Sequence, residues 1–313
     1  MLAFCLYSST DSTAEADMDR KFVIVSTEWL ADRLAGKKDK DINFRVLDAT
    51  WHLPSLTKRK PREDFYKDHI PGALFFDIDE CRKPHPDLEH LLPSAEQFAE
   101  YVGKKLGIGN EDHVVIYDNN PNIGIFSAPR VWWLFKVFGH DKVSVLSGGF
   151  EKWNNEEVRE VTDELIKVVP FDYQATLHPE MVKTFKDVEN NLETKEFQLL
   201  DARPAGRFNG TAPEPRPDTK PGHIPGAVNI PFTKIVDQNT KLLKTPASLN
   251  AMLNYHKVEQ DRPMVVMCGS GVTSCCLLMA AYVSGRDDIA LYDGSWTEWY
   301  KTAKWNQMML RRP

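Results

Sequence analysis

A cysteine at the start of a glycine-containing loop is the strongest chemical signal in the sequence. Cys268 opens the loop 268–273, with the sequence CGSGVT, between the apolar run Met264–Met267 and the small-residue run 274–284. A loop that joins a strand to a helix directs its backbone amides to one point, and these amides lower the pKa of a thiol there. The sequence therefore predicts a reactive thiolate at Cys268, in a loop able to hold an anionic group bound to its sulfur.

Other cysteine chemistries fit this loop less well. A cysteine phosphatase needs an arginine six residues after the cysteine to grip phosphate, and this chain has Ser274 there. The chain has no Cys-x-x-Cys pair, which disfavours a thioredoxin-type redox site. Cys275 and Cys276 lie in an apolar run, and we expect them to pack in the core.

The elements that position this loop occur twice in the chain. The motif His-Ile-Pro-Gly-Ala begins at His69 and again at His223, and an Asp-Ala pair begins at Asp48 and again at Asp201. Where the second copy has Cys268, the first has Asp118, whose carboxylate cannot supply a reactive thiol. A period this long indicates two duplicated domains, of which the first is catalytically silent. Because both copies carry the histidine motif, we expect its histidines to be structural.

Each copy alternates short apolar runs with helical patterns, which predicts a parallel sheet covered by helices. The expected strands are Phe44–Asp48, 114–117, Val143–Leu146, 197–201, Met264–Met267 and Ile289–Tyr292, and the expected helices include 95–106 and Pro246–Tyr255. The predicted fold class is α/β, with two tandem domains and helices on both faces of each sheet. We predict an N-terminal tail at 1–20, a non-catalytic domain at 21–153, a linker at 154–179 and a catalytic domain at 180–313.

Composition excludes several classes of protein. With 42% hydrophobic residues, 27% charged residues and a net charge of −6, the chain is neither disordered nor suited to binding nucleic acid, and no apolar run is long enough for a membrane span. Five cysteines are too few for a disulfide scaffold, which favours a reducing compartment. Segment 1–20 is acidic and fits neither a secretory signal nor a clear transit peptide. The expected location is the cytoplasm, with the mitochondrion as the alternative.

Over 23–300 the chain resembles the tandem-domain rhodanese family of sulfurtransferases, each with two rhodanese-like domains. Its cysteine loop is similar to that of the members that use 3-mercaptopyruvate. Thiosulfate-specific members have Arg and Lys where this chain has Gly269 and Ser270. Thiosulfate is a dianion, so cations near its sulfonate favour it, whereas the single carboxylate of mercaptopyruvate is remote from the sulfur.

The resemblance also implies a set of site residues. Catalytic roles fall to Cys268, Ser270, His90 and Asp79, and substrate-binding roles to Arg207, Arg216, Gly269, Gly271, Val272 and Thr273. A Ser–His–Asp arrangement is formed by Ser270, His90 and Asp79, of which the last two come from the first domain. The alternatives are a plain surface histidine at His90, a helix cap at Asp79 and solvated arginines at Arg207 and Arg216.

The resemblance thus implies transfer of sulfur from 3-mercaptopyruvate, through a Cys268 persulfide, to a thiol or cyanide, with release of pyruvate. The expected partners are a small-molecule sulfur donor and a thiol acceptor, such as thioredoxin or a low-molecular-weight thiol. No metal, organic cofactor, nucleic acid or membrane partner is expected. The alternatives are a thiosulfate:cyanide sulfurtransferase and a non-catalytic binding protein with the same fold.

Overall fold

The computed structural model describes residues 20, 22–37, 42–53, 57–156 and 159–309, so nearly all of the expected tail 1–20 lies outside the described residues. Each half of the chain forms a parallel five-stranded sheet, and the two sheets have equivalent strand orders, β1-β5-β4-β2-β3 and β6-β10-β9-β7-β8. The first sheet consists of β1 (Ile24–Val25), β2 (Phe44–Asp48), β3 (Ala73–Phe75), β4 (His113–Tyr117) and β5 (Val143–Leu146). The second consists of β6 (Val182–Lys183), β7 (Gln198–Asp201), β8 (Val228–Asn229), β9 (Met264–Met267) and β10 (Ile289–Tyr292).

Helices cover both faces of each sheet. In the first half they are α1 (Thr27–Leu34), α2 (Pro61–Phe65), α3 (Ala95–Ala99), α4 (Ala128–Val137) and α5 (Gly149–Asn155). In the second they are α6 (Phe185–Thr194), α7 (Ala205–Phe208), α8 (Pro246–Tyr255), α9 (Ser274–Val283) and α10 (Ser295–Thr302). Along β4, Val114 and Ile116 belong to one hydrophobic core while Val115 and Tyr117 belong to another. Both faces of the sheet are therefore buried, as the continuous apolar runs predict.

A single hydrophobic core joins the two halves. It includes Val131 of α4 and Leu278 of α9, and the rings of Trp132 and Tyr282 lie 5.5 Å apart across the contact between these helices. Trp132 and Trp133 are fully buried and pack in the core. Because the helices that follow β4 and β9 meet here, the carboxyl ends of both sheets are brought toward one another.

The predicted helix 95–106 is only partly a regular α-helix. Ser94 caps α3 through a capping box, but from Glu100 to Lys105 the chain continues as a π-helix. There the amide of Phe171, from the segment that joins the two halves, donates to the carbonyl of Gly103 over 2.9 Å. A side chain at Gly103 would begin 2.6 Å from the Phe171 carbonyl oxygen, so the glycine allows this backbone to cross the helix.

The two repeated histidines fix equivalent turns. His69 Nδ1 lies 2.8 Å from the carbonyl oxygen of Phe65 and His223 Nδ1 lies 2.9 Å from that of Phe208, and each imidazole stacks on the same phenylalanine. Their structural role is thereby confirmed. Across the described ranges, the helices are too short or too polar to cross a bilayer.

Candidate functional site

Cys268 lies at the carboxyl end of β9 and immediately before the loop that leads into α9, and only 3% of it is exposed. Its amide donates to Ser295 Oγ over 3.2 Å, and its carbonyl accepts from the Trp296 amide over 3.0 Å. Ser295 itself has φ +54°, a conformation that glycine usually takes. A second loop, at the start of α10, therefore binds both the amide and the carbonyl of the cysteine.

The same second loop occurs in the first copy, which shows that Asp118 and Cys268 occupy equivalent positions. Gly149 has φ +60°, like Ser295, and the Phe150 amide donates to the Asp118 carbonyl as that of Trp296 does to the Cys268 carbonyl. The positive φ is kept in both copies although only one of them has glycine.

The surroundings of the thiol favour its anionic form. Burial on its own would raise the pKa of Cys268, whereas hydrogen bonds from the hydroxyls of Thr273 and Ser274 lower it. The amides of Ser270 and Ser274 add to this effect, so the pKa is lowered from its ordinary value. The Ser274 hydroxyl donates to Cys268 Sγ over 3.6 Å. Ser274, which marked only the missing phosphatase arginine in the sequence, is thus a ligand of the sulfur.

Ser270, His90 and Asp79 form a continuous hydrogen-bonded chain. His90 Nδ1 lies 3.0 Å from Ser270 Oγ, and His90 Nε2 lies 3.0 Å from Asp79 Oδ1. A carboxylate can only accept, so Nε2–H donates to Asp79, and in the neutral imidazole Nδ1 accepts from the Ser270 hydroxyl. Burial alone would raise the pKa of Asp79, yet hydrogen bonds from His90 and from Trp51, whose Nε1 donates over 3.0 Å, hold it below its usual value. His90 is buried rather than on the surface.

Arg207 and Arg216 converge on the backbone of the cysteine loop. A side chain at Gly269 would begin 2.9 Å from Arg207 Nη2 and 3.1 Å from Arg216 Nη1, so the glycine leaves room for both guanidinium groups. Arg207 is held by the buried carboxylate of Glu214, and Arg216 is paired with Glu89 of the first half. These arginines are therefore ordered groups over the loop rather than solvated surface charges.

These groups line a cavity of about 170 Å³ between the two halves. Its walls are Trp51, Leu53, Phe126, Pro204, Arg207, Arg216, Phe232, Cys268, Gly269, Ser270, Val272 and Thr273. The lining thus combines apolar and aromatic side chains with the thiol and the two cations. Gly271 is placed differently: a side chain there would begin 3.0 Å from both Arg130 Nη1 and the Asp293 carbonyl oxygen.

The neighbouring cysteines are in a different environment. Cys275 and Cys276 are fully buried, and their thiols donate to the carbonyl oxygens of Gly271 and Phe126, each over 3.3 Å. Burial raises the pKa of Cys275 to about 12 and that of Cys276 well above its usual value. Both thiols are protonated at neutral pH and pack in the core, as expected.

Four residues that contact the site were not predicted, because none of them belongs to a recognisable motif: Trp51, Glu89, Glu214 and Ser274. Trp51 and Glu89 belong to the first half. They reach the cavity and Arg216, respectively, only after the two halves dock. Glu214 lies between the two arginines in the chain, and its position in that loop is the one signal that could have indicated a partner for them.

The comparisons with known proteins agree with this geometry. The model of the rhodanese-like domain matches residues 26–156 and 184–302. The chain is 45% identical to human 3-mercaptopyruvate sulfurtransferase over 281 residues, which is 90% of this chain and 93% of that protein. It is 46% identical to bovine thiosulfate sulfurtransferase over 282 residues, which is 90% of this chain and 92% of that protein.

A solved structure gives the same result. The structure of SseA from Escherichia coli, described as a 3-mercaptopyruvate sulfotransferase, superposes with a TM-score of 0.77 at 34% identity and covers 88% of this chain and 99% of that chain. With two matched domains and relatives of this identity along nearly its whole length, the chain belongs to the rhodanese family.

Proposed function

We propose that the chain is a 3-mercaptopyruvate sulfurtransferase that works through a persulfide on Cys268. The observation that carries the proposal is the chain Ser270–His90–Asp79 beside an activated thiol whose loop has no side-chain cation of its own. The identities to the human mercaptopyruvate enzyme and the bovine thiosulfate enzyme are nearly equal, so overall similarity does not separate the two donors. The donor assignment instead rests on Gly269 and Ser270 of the cysteine loop.

In the first half-reaction, the Cys268 thiolate attacks the sulfur of 3-mercaptopyruvate. A sulfur–sulfur bond forms, the carbon–sulfur bond of the donor breaks, and its electron pair passes to the carbon to give the enolate of pyruvate. Taking up one proton at that carbon gives pyruvate, and the enzyme retains the persulfide. The proton comes from the donor's own thiol, which leaves the persulfide anionic. Ser270 is proposed to relay this proton to the carbon, since its hydroxyl is hydrogen-bonded to His90, which Asp79 orients.

The donor's charge is balanced by Arg207 and Arg216, which bind its carboxylate. A guanidinium fork suits a carboxylate, and both groups lie beside Gly269, next to the sulfur. Gly269, Val272 and Thr273 shape the wall around the sulfur, while Gly271 keeps the loop close to Arg130. The loop amides and the hydroxyls of Thr273 and Ser274 then stabilise the anionic persulfide.

In the second half-reaction, a thiolate or cyanide attacks the outer sulfur of the persulfide and releases the Cys268 thiolate. The proposed acceptors are thioredoxin or a low-molecular-weight thiol, and the cycle is a double displacement. We assign 21–153 as the silent domain, 154–179 as the linker and 180–313 as the catalytic domain. The proposed compartment is the reducing cytoplasm, which suits the free thiols of Cys81, Cys268, Cys275 and Cys276.

The proposal is tested by steady-state kinetics with mercaptopyruvate and thiosulfate side by side and one thiol acceptor. We expect kcat/KM for mercaptopyruvate to be greater by about tenfold or more, a difference of about 1.4 kcal/mol or more. A preference for thiosulfate would overturn the donor assignment and leave the thiosulfate:cyanide sulfurtransferase.

The persulfide is tested by adding the donor alone and measuring the mass of the peptide that contains Cys268. We expect a gain of one sulfur atom, which cyanide removes as thiocyanate, and no gain in Cys268→Ser, which also loses turnover. If the protein gains no sulfur with either donor, it is a binding protein with a rhodanese fold rather than an enzyme.

A further inference from the structure

We propose that Arg130 and Asp293 are positioning residues that hold His90 on Ser270 across the interface between the two halves. The inference rests on the proposed function, because it assigns these residues a role only if His90 acts in the reaction. Neither residue lines the cavity around Cys268, and both act through the backbone that runs from the His90 carbonyl to the Leu92 amide.

Arg130 ties three segments together from the first turn of α4. Its Nη1 donates to Asp293 Oδ1 over 2.9 Å and to the carbonyl oxygen of Gly271 over 3.3 Å. Its Nη2 donates to the carbonyl oxygen of His90 itself. One guanidinium from the first half thus holds the cysteine loop and the histidine segment at the same time.

Asp293 completes the same connection from the second half. Its Oδ1 accepts from Arg130, and its Oδ2 accepts from the amide of Leu92 over 2.6 Å. The histidine is therefore held at its own carbonyl by one partner and two residues later by the other. With the backbone that follows His90 fixed at two points, the imidazole is held toward Ser270.

The burial of this ion pair argues for a positioning role. The side chains of Arg130 and Asp293 are only 3% and 10% exposed. Removing two charges from water costs several kcal/mol per ion, and a buried pair often stabilises a protein no more than apolar packing would. What the pair provides, and apolar side chains cannot, is directional bonds to three backbone groups from two domains.

The first variant is Arg130→Met, which keeps an unbranched side chain but removes every donor. A misplacement of about 1 Å costs about 100-fold in rate. We therefore expect kcat with mercaptopyruvate to fall about 10- to 100-fold. We expect KM to change much less, because Arg207 and Arg216, which bind the carboxylate, do not contact Arg130.

Arg286→Met is the matched control. Arg286 is also a buried arginine that is paired with one aspartate, Asp288, and donates to the carbonyl oxygens of Glu259 and Arg262. It lies at the opposite end of β10 from Cys268. We expect this variant to lose stability as Arg130→Met does, with kcat of the folded protein unchanged.

The deciding measurement is a double-mutant cycle between Arg130→Met and His90→Ala. If Arg130 acts through His90, Arg130→Met has no further effect on kcat once His90 is alanine, whereas an independent structural effect is multiplied in both backgrounds. Should Arg130→Met fail to fold, the same cycle is run with Arg130→Lys, which keeps the charge but not the fork, and with Asp293→Asn.

Each outcome is informative. A loss in Arg130→Met that disappears in the His90→Ala background supports the inference. Normal kcat in Arg130→Met, or an equal loss in both backgrounds, overturns it and leaves the proposed function standing. If His90→Ala alone leaves kcat unchanged, the proposed role of His90 in the reaction fails and the inference falls with it.

Discussion

Two arginines face the cysteine loop, and their carboxylate partners differ in exposure. The side chain of Glu214, which holds Arg207, is 1% exposed, whereas that of Glu89, which pairs with Arg216, is 45% exposed. A buried carboxylate fixes its partner, while an exposed ion pair is worth little and is easily exchanged for another anion. The guanidinium of Arg207 is therefore already fixed in place before the substrate binds. Arg216, in contrast, can release Glu89 and bind the incoming carboxylate.

Replacing either arginine by alanine tests this interpretation. A charged hydrogen bond is worth roughly 1.5–3 kcal/mol, so we expect kcat/KM for mercaptopyruvate to fall about 10- to 100-fold. Most of the loss should appear in KM, because the carboxylate is bound in the ground state and in the transition state alike. Unchanged mercaptopyruvate kinetics in Arg207→Ala would contradict the assignment. Glu89→Gln is the control: it removes the anion that competes with the substrate for Arg216, so KM should not rise.

Ser274→Ala isolates one hydroxyl that lowers the pKa of Cys268. Without this donor we expect the pKa to rise, because one hydrogen bond to the thiolate is lost while burial of the sulfur is unchanged. The rate of alkylation by iodoacetamide, measured against pH, should reach its midpoint at a higher pH than in the wild type. Ser284→Ala, at the other end of α9, should leave the midpoint in place. An unshifted midpoint in Ser274→Ala would exclude this hydroxyl as a ligand of the thiolate.

The two copies carry different anions at the start of equivalent helices. In the first copy, Asp118 Oδ2 accepts from the amides of Phe126, Ser127 and Ala128 at the beginning of α4, over 2.7–2.8 Å. In the second, the loop before α9 surrounds the Cys268 thiol. The first copy therefore fills with its own carboxylate the place that the second copy keeps for a sulfur anion.

Asp118→Ala should affect stability rather than chemistry. It leaves three buried amides without an acceptor, and we expect the free energy of unfolding to fall by roughly 1–3 kcal/mol. Because Phe126 lines the cavity, KM is expected to change more than kcat, which should stay within about threefold of the wild type. Urea unfolding and steady-state kinetics on the same sample check both points. A large loss of kcat at normal stability would show that the first copy takes part in the reaction.

The central strands β4, β9 and β10 were predictable from sequence because they are buried on both faces and are almost entirely apolar. The edge strands β1, β3, β6 and β8 have only two or three residues, too few for any periodicity to show. At the π-helical turn, Gly103 is contacted by the backbone of Phe171, which is far away in the sequence.

The candidate site divides in a similar way. Cys268 could be predicted from its own loop, because a strand, two glycines and a helix are local features. His90 and Asp79 were available only through the family resemblance, since they reach Ser270 through the docking of two domains. Trp51, Arg130 and Asp293 were not predicted, because single residues without a motif show their role only once their partners are known.

At the scale of the whole molecule, a buried carboxylate links stability to pH. Burial raises the pKa of Asp48 from 3.8 to about 7, even though the Thr50 amide and hydroxyl donate to it. The folded state thus holds a proton that the unfolded chain has released above pH 4. The stability that comes from this bound proton is complete below the pKa that Asp48 has in the unfolded chain. It is lost as the pH rises through about 7, the pKa of Asp48 in the folded protein.

Asp48→Asn should therefore flatten part of this pH dependence. We expect the wild type to lose more thermal stability between pH 5 and about pH 8 than the variant does, because the amide does not titrate. Thermal unfolding across that range checks this, with Asp172→Asn, an exposed aspartate paired with Lys104, as the control. Parallel curves for the wild type and Asp48→Asn would mean that Asp48 titrates at its ordinary pKa.

The order of the two copies along the chain has a consequence for biosynthesis. The half that supplies Trp51, Asp79 and His90 is translated before the half that carries Cys268, and domains usually fold in the order of their synthesis. The wall that covers the thiol is thus made before the thiol itself. During translation, the reactive cysteine emerges beside a finished partner surface, which limits the time in which a bare thiolate meets oxidants in the cell.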